Sequence, residues 1–156
     1  MGKIDKRIAA AGIAAAGIAA AGIAGCASEP GLPPFMPVTT VDQLMDSVIA
    51  HAAEVYWDAV SVIVDANGVT EKAPQTDEEW EAVWSAAISL AESGNLLMMA
   101  PRAVDDGEWM QMSAAMVRVG VEAAAAAEAK DPDRVLEVGE QVYNVCLACH
   151  TRYIAE

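Results

Sequence analysis

The stretch YNVCLACHTRYIAE carries the three residues of this chain best suited to chemistry: Cys146, Cys149 and His150. Two thiols at i and i+3 share one face of a helix, so both can bond to a single rigid group, and the imidazole beside them can reach a metal at its centre. Cys-x-x-Cys-His is the attachment pattern of c-type haem, in which the thiols add to two porphyrin vinyl groups and the histidine becomes the fifth iron ligand. One covalent haem c is the cofactor this motif predicts. Three other chemistries compete. A zinc site would want a fourth ligand, and the only other histidine is His51. A redox dithiol would want a βαβ pattern, which the sequence lacks. A plain extracytoplasmic disulfide leaves His150 without a task.

The third cysteine, Cys26, stands in different surroundings. MGKIDKR supplies Lys3, Lys6 and Arg7, and IAAAGIAAAGIAAAGIAG then runs uncharged up to Cys26. A basic region, an apolar region and small residues in that order mark an export signal over residues 1–25. An uncleaved membrane anchor is the competing reading, because the apolar run of about 18 residues approaches the lower limit for a span. Its glycines recur every five residues (Gly12, Gly17, Gly22) rather than as GxxxG, and an anchor gives Cys26 no role. Ile23-Ala24-Gly25-Cys26 resembles a bacterial lipobox. That resemblance implies cleavage before Cys26, a diacylglyceryl group on its thiol and an acylated new N-terminus. Several acyl chains, at ~0.8 kcal/mol per buried CH₂, would hold the protein on a membrane surface. It would then be extracytoplasmic, and Ala27 after the cysteine favours the outer membrane. Residues 26–39, with ASEPGLPPFMP, read as the lipidated cysteine and a proline-rich tether.

Loss of residues 1–25 removes three basic and one acidic side chain, leaving 6 and 22 and a formal charge of −16. Such a surface repels phosphate backbones, so nucleic acid is excluded as a partner. It suits a redox partner with a basic surface, while a solvated acidic surface equally needs no partner; the lipid-bearing membrane and a second copy of the chain are the other partners considered. No nucleophile paired with a base, no HExxH and no phosphate loop appears, so an enzyme is not expected.

The elements that must position the motif are helical. At 156 residues and 54% hydrophobic content, residues 40–156 can bury one core. Its apolar content of Ala, Val, Leu and Met favours packed helices over sheets, so the fold class is all-α. Residues 40–64 form the first helix, with Val41, Leu44, Met45, Val48, Ala52, Val55, Tyr56 and Ala59 in a 3.6-residue rhythm. Trp57 falls nearly opposite that stripe. DANGVTEKAPQ follows as a connector with an Asn-Gly turn signal. The second helix opens at Thr76 with Glu79 completing a capping box and stops at Gly94. The third covers residues 108–130, with Met112, Met116, Val119 and Ala123 on one face. Asp131 and Pro132 then open the fourth, which carries Val135, Val138, Val142 and finally CLACH. Short connectors make an antiparallel four-helix bundle the expected architecture.

Four helices closed by CxxCH in the last one resemble the class II cytochromes c, the cytochrome c-prime and cytochrome c-556 group, over residues 40–153. The resemblance implies a haem inside the bundle, His150 as proximal ligand, and the far side of the iron facing the first helix. Arg152 fits the basic residue that often follows the motif and would touch the haem edge. An Arg early on the first helix, also frequent there, is missing from TTVDQLMDSV. In that family a methionine on the first helix gives a six-coordinate electron carrier, and an apolar residue gives an open iron that binds nitric oxide or carbon monoxide.

Met45 is the candidate sixth ligand: it lies on the inward stripe between Val41 and Val48, and thioether ligation opposite histidine raises a haem potential. His51 is the rival, at the stripe's edge; Met98 and Met99 lie past the expected stop at Gly94. The function that follows is membrane-tethered electron transfer by a one-haem cytochrome. A five-coordinate gas-binding haem protein, and a structural envelope lipoprotein in which CLACH is incidental, are the alternatives.

Overall fold

The computed structural model describes residues 34–154, so the expected export signal, the lipid site at Cys26 and most of the tether lie outside the described residues. The described residues are mostly helical, as expected, with one β-hairpin. None of their helices is long and apolar enough to cross a membrane.

A capping box starts the first rod. Gln43 N–H donates to Thr40 Oγ1 at 3.2 Å, and Thr40 N–H to Gln43 Oε1 at 3.1 Å. The rod then runs without a break through α1 (Val41–Leu44), a π-helical turn (Met45–Ile49) and α2 (Ala50–Ala59). In the π turn the Ala50 N–H donates to the Met45 carbonyl, one residue further back than an α-helix allows. The extra residue shifts the inward stripe. Val48, expected in the core, is 36% exposed, and Ile49 is buried in its place with Leu44, Ala52, Ala53 and Tyr56.

The rod ends at Ala59, five residues before the expected end, and an antiparallel hairpin of β1 (Ser61–Asp65) and β2 (Gly68–Lys72) takes over. VSVIV is a β-branched run that suits a strand better than a last helical turn. Asn67 N–H donates to Asp65 Oδ1 at 2.7 Å, and Gly68 takes the positive φ of 128° on which the turn depends.

α3 (Asp77–Met98) begins with the expected capping box, Glu79 N–H to Thr76 Oγ1 at 3.2 Å and Thr76 N–H to Glu79 Oε2 at 3.1 Å. It does not stop at Gly94. That glycine lets α4 (Glu108–Glu128) come close: a Cβ there would lie 2.6 Å from the Ser113 carbonyl oxygen and from Val117 Cγ2. Gly120 does the same from α4, where a Cβ would meet Ala91 N at 2.6 Å. The orphan carbonyls at the end of α3 are met by side chains, Leu97 by Trp109 Nε1 at 2.8 Å and Leu96 by buried Arg102 Nη1 at 3.2 Å. Arg102 also ties this end to Thr39, through Nε to its carbonyl at 3.1 Å and Nη2 to its hydroxyl at 3.0 Å.

α4 closes with Lys130 at φ 53°, the Asp131 N–H reaching back to the Ala126 carbonyl and the Lys130 N–H to that of Ala127. This is the Schellman pattern with lysine in the left-handed position. Asp131 at once caps α5 (Pro132–Tyr153), accepting from Arg134 N–H at 3.1 Å with Pro132 at the first position, as the sequence leads one to expect. α3 packs most intimately on α4, α4 on α5, and α2 on α3, whereas α2 and α5 meet sparingly. The cavities described next open in that gap.

Candidate functional site

Val135, Val138 and Val142 bury one face of α5. Cys146 and Cys149 follow on that face in its last turns, partly buried and, among the described residues, in no disulfide. The end of α5 is pinned to the start of α4. Tyr153 donates its hydroxyl to Asp105 Oδ2 at 2.5 Å, and Asp105 Oδ1 accepts the N–H groups of Gly107 at 2.8 Å and Trp109 at 3.1 Å. One carboxylate thus serves the first turn of α4 and the last turn of α5. Tyr153 also stands edge-on to Trp109, 5.1 Å between centroids.

Beside this end lies a cavity of about 700 Å³, within the range of small-molecule and cofactor sites. Met45, Ile49, Ala53 and Trp57 line it from the first rod, Leu97 from α3, and Met112, Ser113 and Met116 from α4; α5 adds Tyr143, Val145, Cys146, Leu147, Cys149, His150 and Ile154. The lining is chiefly apolar, with Asp42 and Asp46 adding carboxylates. Tyr143, Leu147 and Ile154 are 55%, 49% and 61% exposed. Three large side chains left uncovered along a single helix form the kind of patch that marks a binding surface.

The cavity therefore brings together Cys146, Cys149 and His150, which the sequence presents as one motif, and Met45, which sequence reasoning selected independently. It does not include His51, which lines a separate groove with Glu54, Asp58 and Glu79. Nor does Arg152 line it. That guanidinium turns toward α4, with Nε 2.6 Å from Glu108 Oε2 and the cation over the Tyr153 ring. Met98 and Met99 are half-buried near the end of α3 and outside the lining, where Leu97 is the α3 contribution.

Trp57 finds its explanation in α5. Its Nε1 donates to the Gly139 carbonyl at 3.0 Å, and its ring meets Tyr143 edge-on at 6.3 Å. Both rings also line a second, neighbouring cavity of about 460 Å³ between α2 and α5, so together they form the partition between the two. A helical glycine in α5 was the one sequence signal for this close approach. Tyr143 and Ile154, which also line the larger cavity, are exposed and gave none.

Burial pushes the Cys146 thiol up, with the neighbouring Cys149 adding to the effect, and burial alone pushes Cys149 up. Both are thus neutral thiols at physiological pH, the reverse of the depressed values that make a reactive dithiol. Among the described residues no group of three or more His, Cys, Asp or Glu side chains is arranged to hold a bare ion. Two thiols and an imidazole on the wall of a broad apolar cavity, with a thioether on the first rod, fit a flat, largely apolar macrocycle that carries its own metal. Comparison with known proteins finds no family model, no curated protein and no solved structure that matches this chain.

Proposed function

We propose that residues 40–156 form a mono-haem c-type cytochrome that transfers electrons, built as an antiparallel four-helix bundle of the class II cytochrome c kind and tethered to a bacterial membrane through Cys26. The observation that carries the reading is the single cavity shared by Cys146, Cys149, His150 and Met45. The bundle architecture is supported by which helix ends meet there: the start of the first rod, the end of α3, the start of α4 and the end of α5. In this reading Cys146 and Cys149 would hold the haem as thioethers, by addition of each S–H across a vinyl group, which needs no oxidant. His150 and Met45 would supply an imidazole and a thioether to its iron. The haem would supply an iron that gains or loses one electron, while the chain would orient it, keep water from it and tune its potential through those two side chains.

The test is the pigment of the protein expressed with a haem-attachment system. Haem that survives acid-acetone extraction is expected in the wild type and absent from Cys146→Ser/Cys149→Ser. Covalent pigment in the double variant would overturn the proposal, and a colourless wild type would leave the reading as an envelope lipoprotein. A five-coordinate, gas-binding site is the second reading, favoured by the apolar Ile49 and Ala53 beside Met45. Rapid carbon monoxide binding by the reduced wild type would select it.

A further inference from the structure

The π turn at Met45–Ile49 decides which way Met45 points. In an unbroken α-helix at about 100° per residue, Met45 would lie roughly 80° round the axis from Ala53, 120° from Trp57 and 140° from Ala50. Those three residues form the cavity face of α2. One extra residue in the turn removes about 100° from each of these angles, which brings Met45 within roughly 40° of all three. The thioether then stands on the same file as the cavity wall.

A side chain accompanies the turn. Ser47 Oγ donates to the Gln43 carbonyl at 2.5 Å. A hydroxyl bonded one turn back competes with the ladder for that carbonyl, and insertion of a side chain into the ladder is a recognised cause of helix irregularity. Ser47 is itself exposed and lines neither of the two cavities, so packing does not account for it.

We propose that Ser47 is a positioning residue: by holding the π turn through Gln43, it aims Met45 into the cavity that His150 also lines and so selects a six-coordinate electron carrier over an open, gas-binding iron. The inference rests on the haem reading above and names what sets its sixth ligand.

The experiment compares four variants of the haem-loaded protein by their visible spectra, carbon monoxide association and amide exchange at Ala50. Met45→Ala establishes the signature of a lost thioether ligand, a high-spin spectrum and fast carbon monoxide binding. Ser47→Ala should move toward that signature, with the open fraction rising about two- to tenfold, the worth of one hydrogen bond, and with faster exchange at Ala50. Ser47→Thr should restore the wild-type spectrum, since a helical threonine can also bond a carbonyl one turn back. Deletion of residue 47 removes the extra residue itself. An ordinary helix then places Met45 seven residues before the former Ala53, about 20° away, so the thioether ligand should be kept. Ser47→Ala indistinguishable from wild type, with Met45→Ala altered, overturns the role of Ser47 and leaves the haem reading standing. Loss of the ligand in the deletion overturns the angular argument. A wild type already identical to Met45→Ala overturns both the sixth ligand and this inference, while covalent pigment would still uphold the attachment site.

Discussion

Substituting alanine for Gly120 tests the close approach of α3 and α4 on which the cavity's inner wall depends. The new Cβ would lie 2.6 Å from Ala91 N, 2.7 Å from its Cα and 2.8 Å from its Cβ, against an optimal carbon–carbon separation of about 3.5–4.0 Å. The obstacle is mostly backbone, which cannot swing aside as a long side chain can. Relief therefore requires the two helices to part by about 1 Å, loosening contacts along their length. Overpacking of this sort costs about 1–3 kcal/mol, and alanine's better helix propensity returns up to about 1 kcal/mol. The net expectation is destabilisation by about 1–2 kcal/mol, or a Tm lowered by roughly 4–8 °C for a domain of this size. Gly139→Ala supplies the contrast. Its Cβ would meet Trp57 Cδ1 at 3.4 Å and nothing nearer, so propensity should dominate and leave the protein as stable as wild type or up to about 1 kcal/mol more so. Thermal unfolding followed by circular dichroism measures both. Gly120→Ala unfolding at or above the wild-type temperature would refute the reasoning.

The Asp105–Tyr153 bond should set a pH window for docking of the α5 end, read from Trp109 fluorescence in the haem-free protein. The Tyr153 hydroxyl, followed by the Gly107 and Trp109 amides, holds the Asp105 carboxyl below its ordinary value, so its contribution is complete above about pH 4 and lost as pH falls through the lowered folded value. Hydrogen bonding to Asp105, with burial, pushes Tyr153 up to about 12, so its contribution is complete below about pH 10 and lost as pH rises through 12; Asp105→Asn should abolish the acid edge, since an amide does not titrate, and draw the alkaline edge down toward about pH 10, and an unaltered profile would count against it. Tyr56 is fully buried, its hydroxyl has no hydrogen-bond partner among the described residues, and burial raises it to about 12 against the opposing charge of Arg134. Tyr56→Phe removes an unsatisfied group and should be neutral or stabilising by about 1–2 kcal/mol in urea unfolding; a loss of more than that would reveal a bond formed in solution. Cys26→Ala should abolish labelling with radioactive palmitate and release the protein from the membrane fraction, whereas unchanged fractionation would remove the tether.

What the sequence disclosed was whatever depends on near neighbours along the chain. Thr76 with Glu79, and Asp131 with Pro132, announce helix starts because the capping atoms come from residues within one turn. CLACH is legible for the same reason, since three side chains on five consecutive residues define their own geometry. Gly94 misled because its role is tertiary: a glycine that would end an isolated helix instead admits α4. The hairpin was hidden because VSVIV continues the apolar character of the preceding helix, and only the Asn-Gly turn distinguished it. The π turn could not be read at all, as Val48 and Ile49 are equally apolar and only packing decides which goes inward. Trp57 puzzled for a related reason, since its partner is the Gly139 carbonyl on a helix more than eighty residues away.

Under the proposed haem reading, the placement of CLACH at the end of α5 has a consequence for the timing of assembly. On the proposed export, amino end first, positions 146–150 leave the channel after every wall of the cavity except the neighbouring Ile154. Arg102, Trp109 and Asp105 close the ends of α3 and α4 with protein groups alone, so this framework can form before the thiols arrive. In that reading the polypeptide would act as the mould and the haem as the late casting, in contrast to proteins whose cofactor nucleates the fold. A chain ended after Asn144 should still protect the amides of α3 and α4 from exchange.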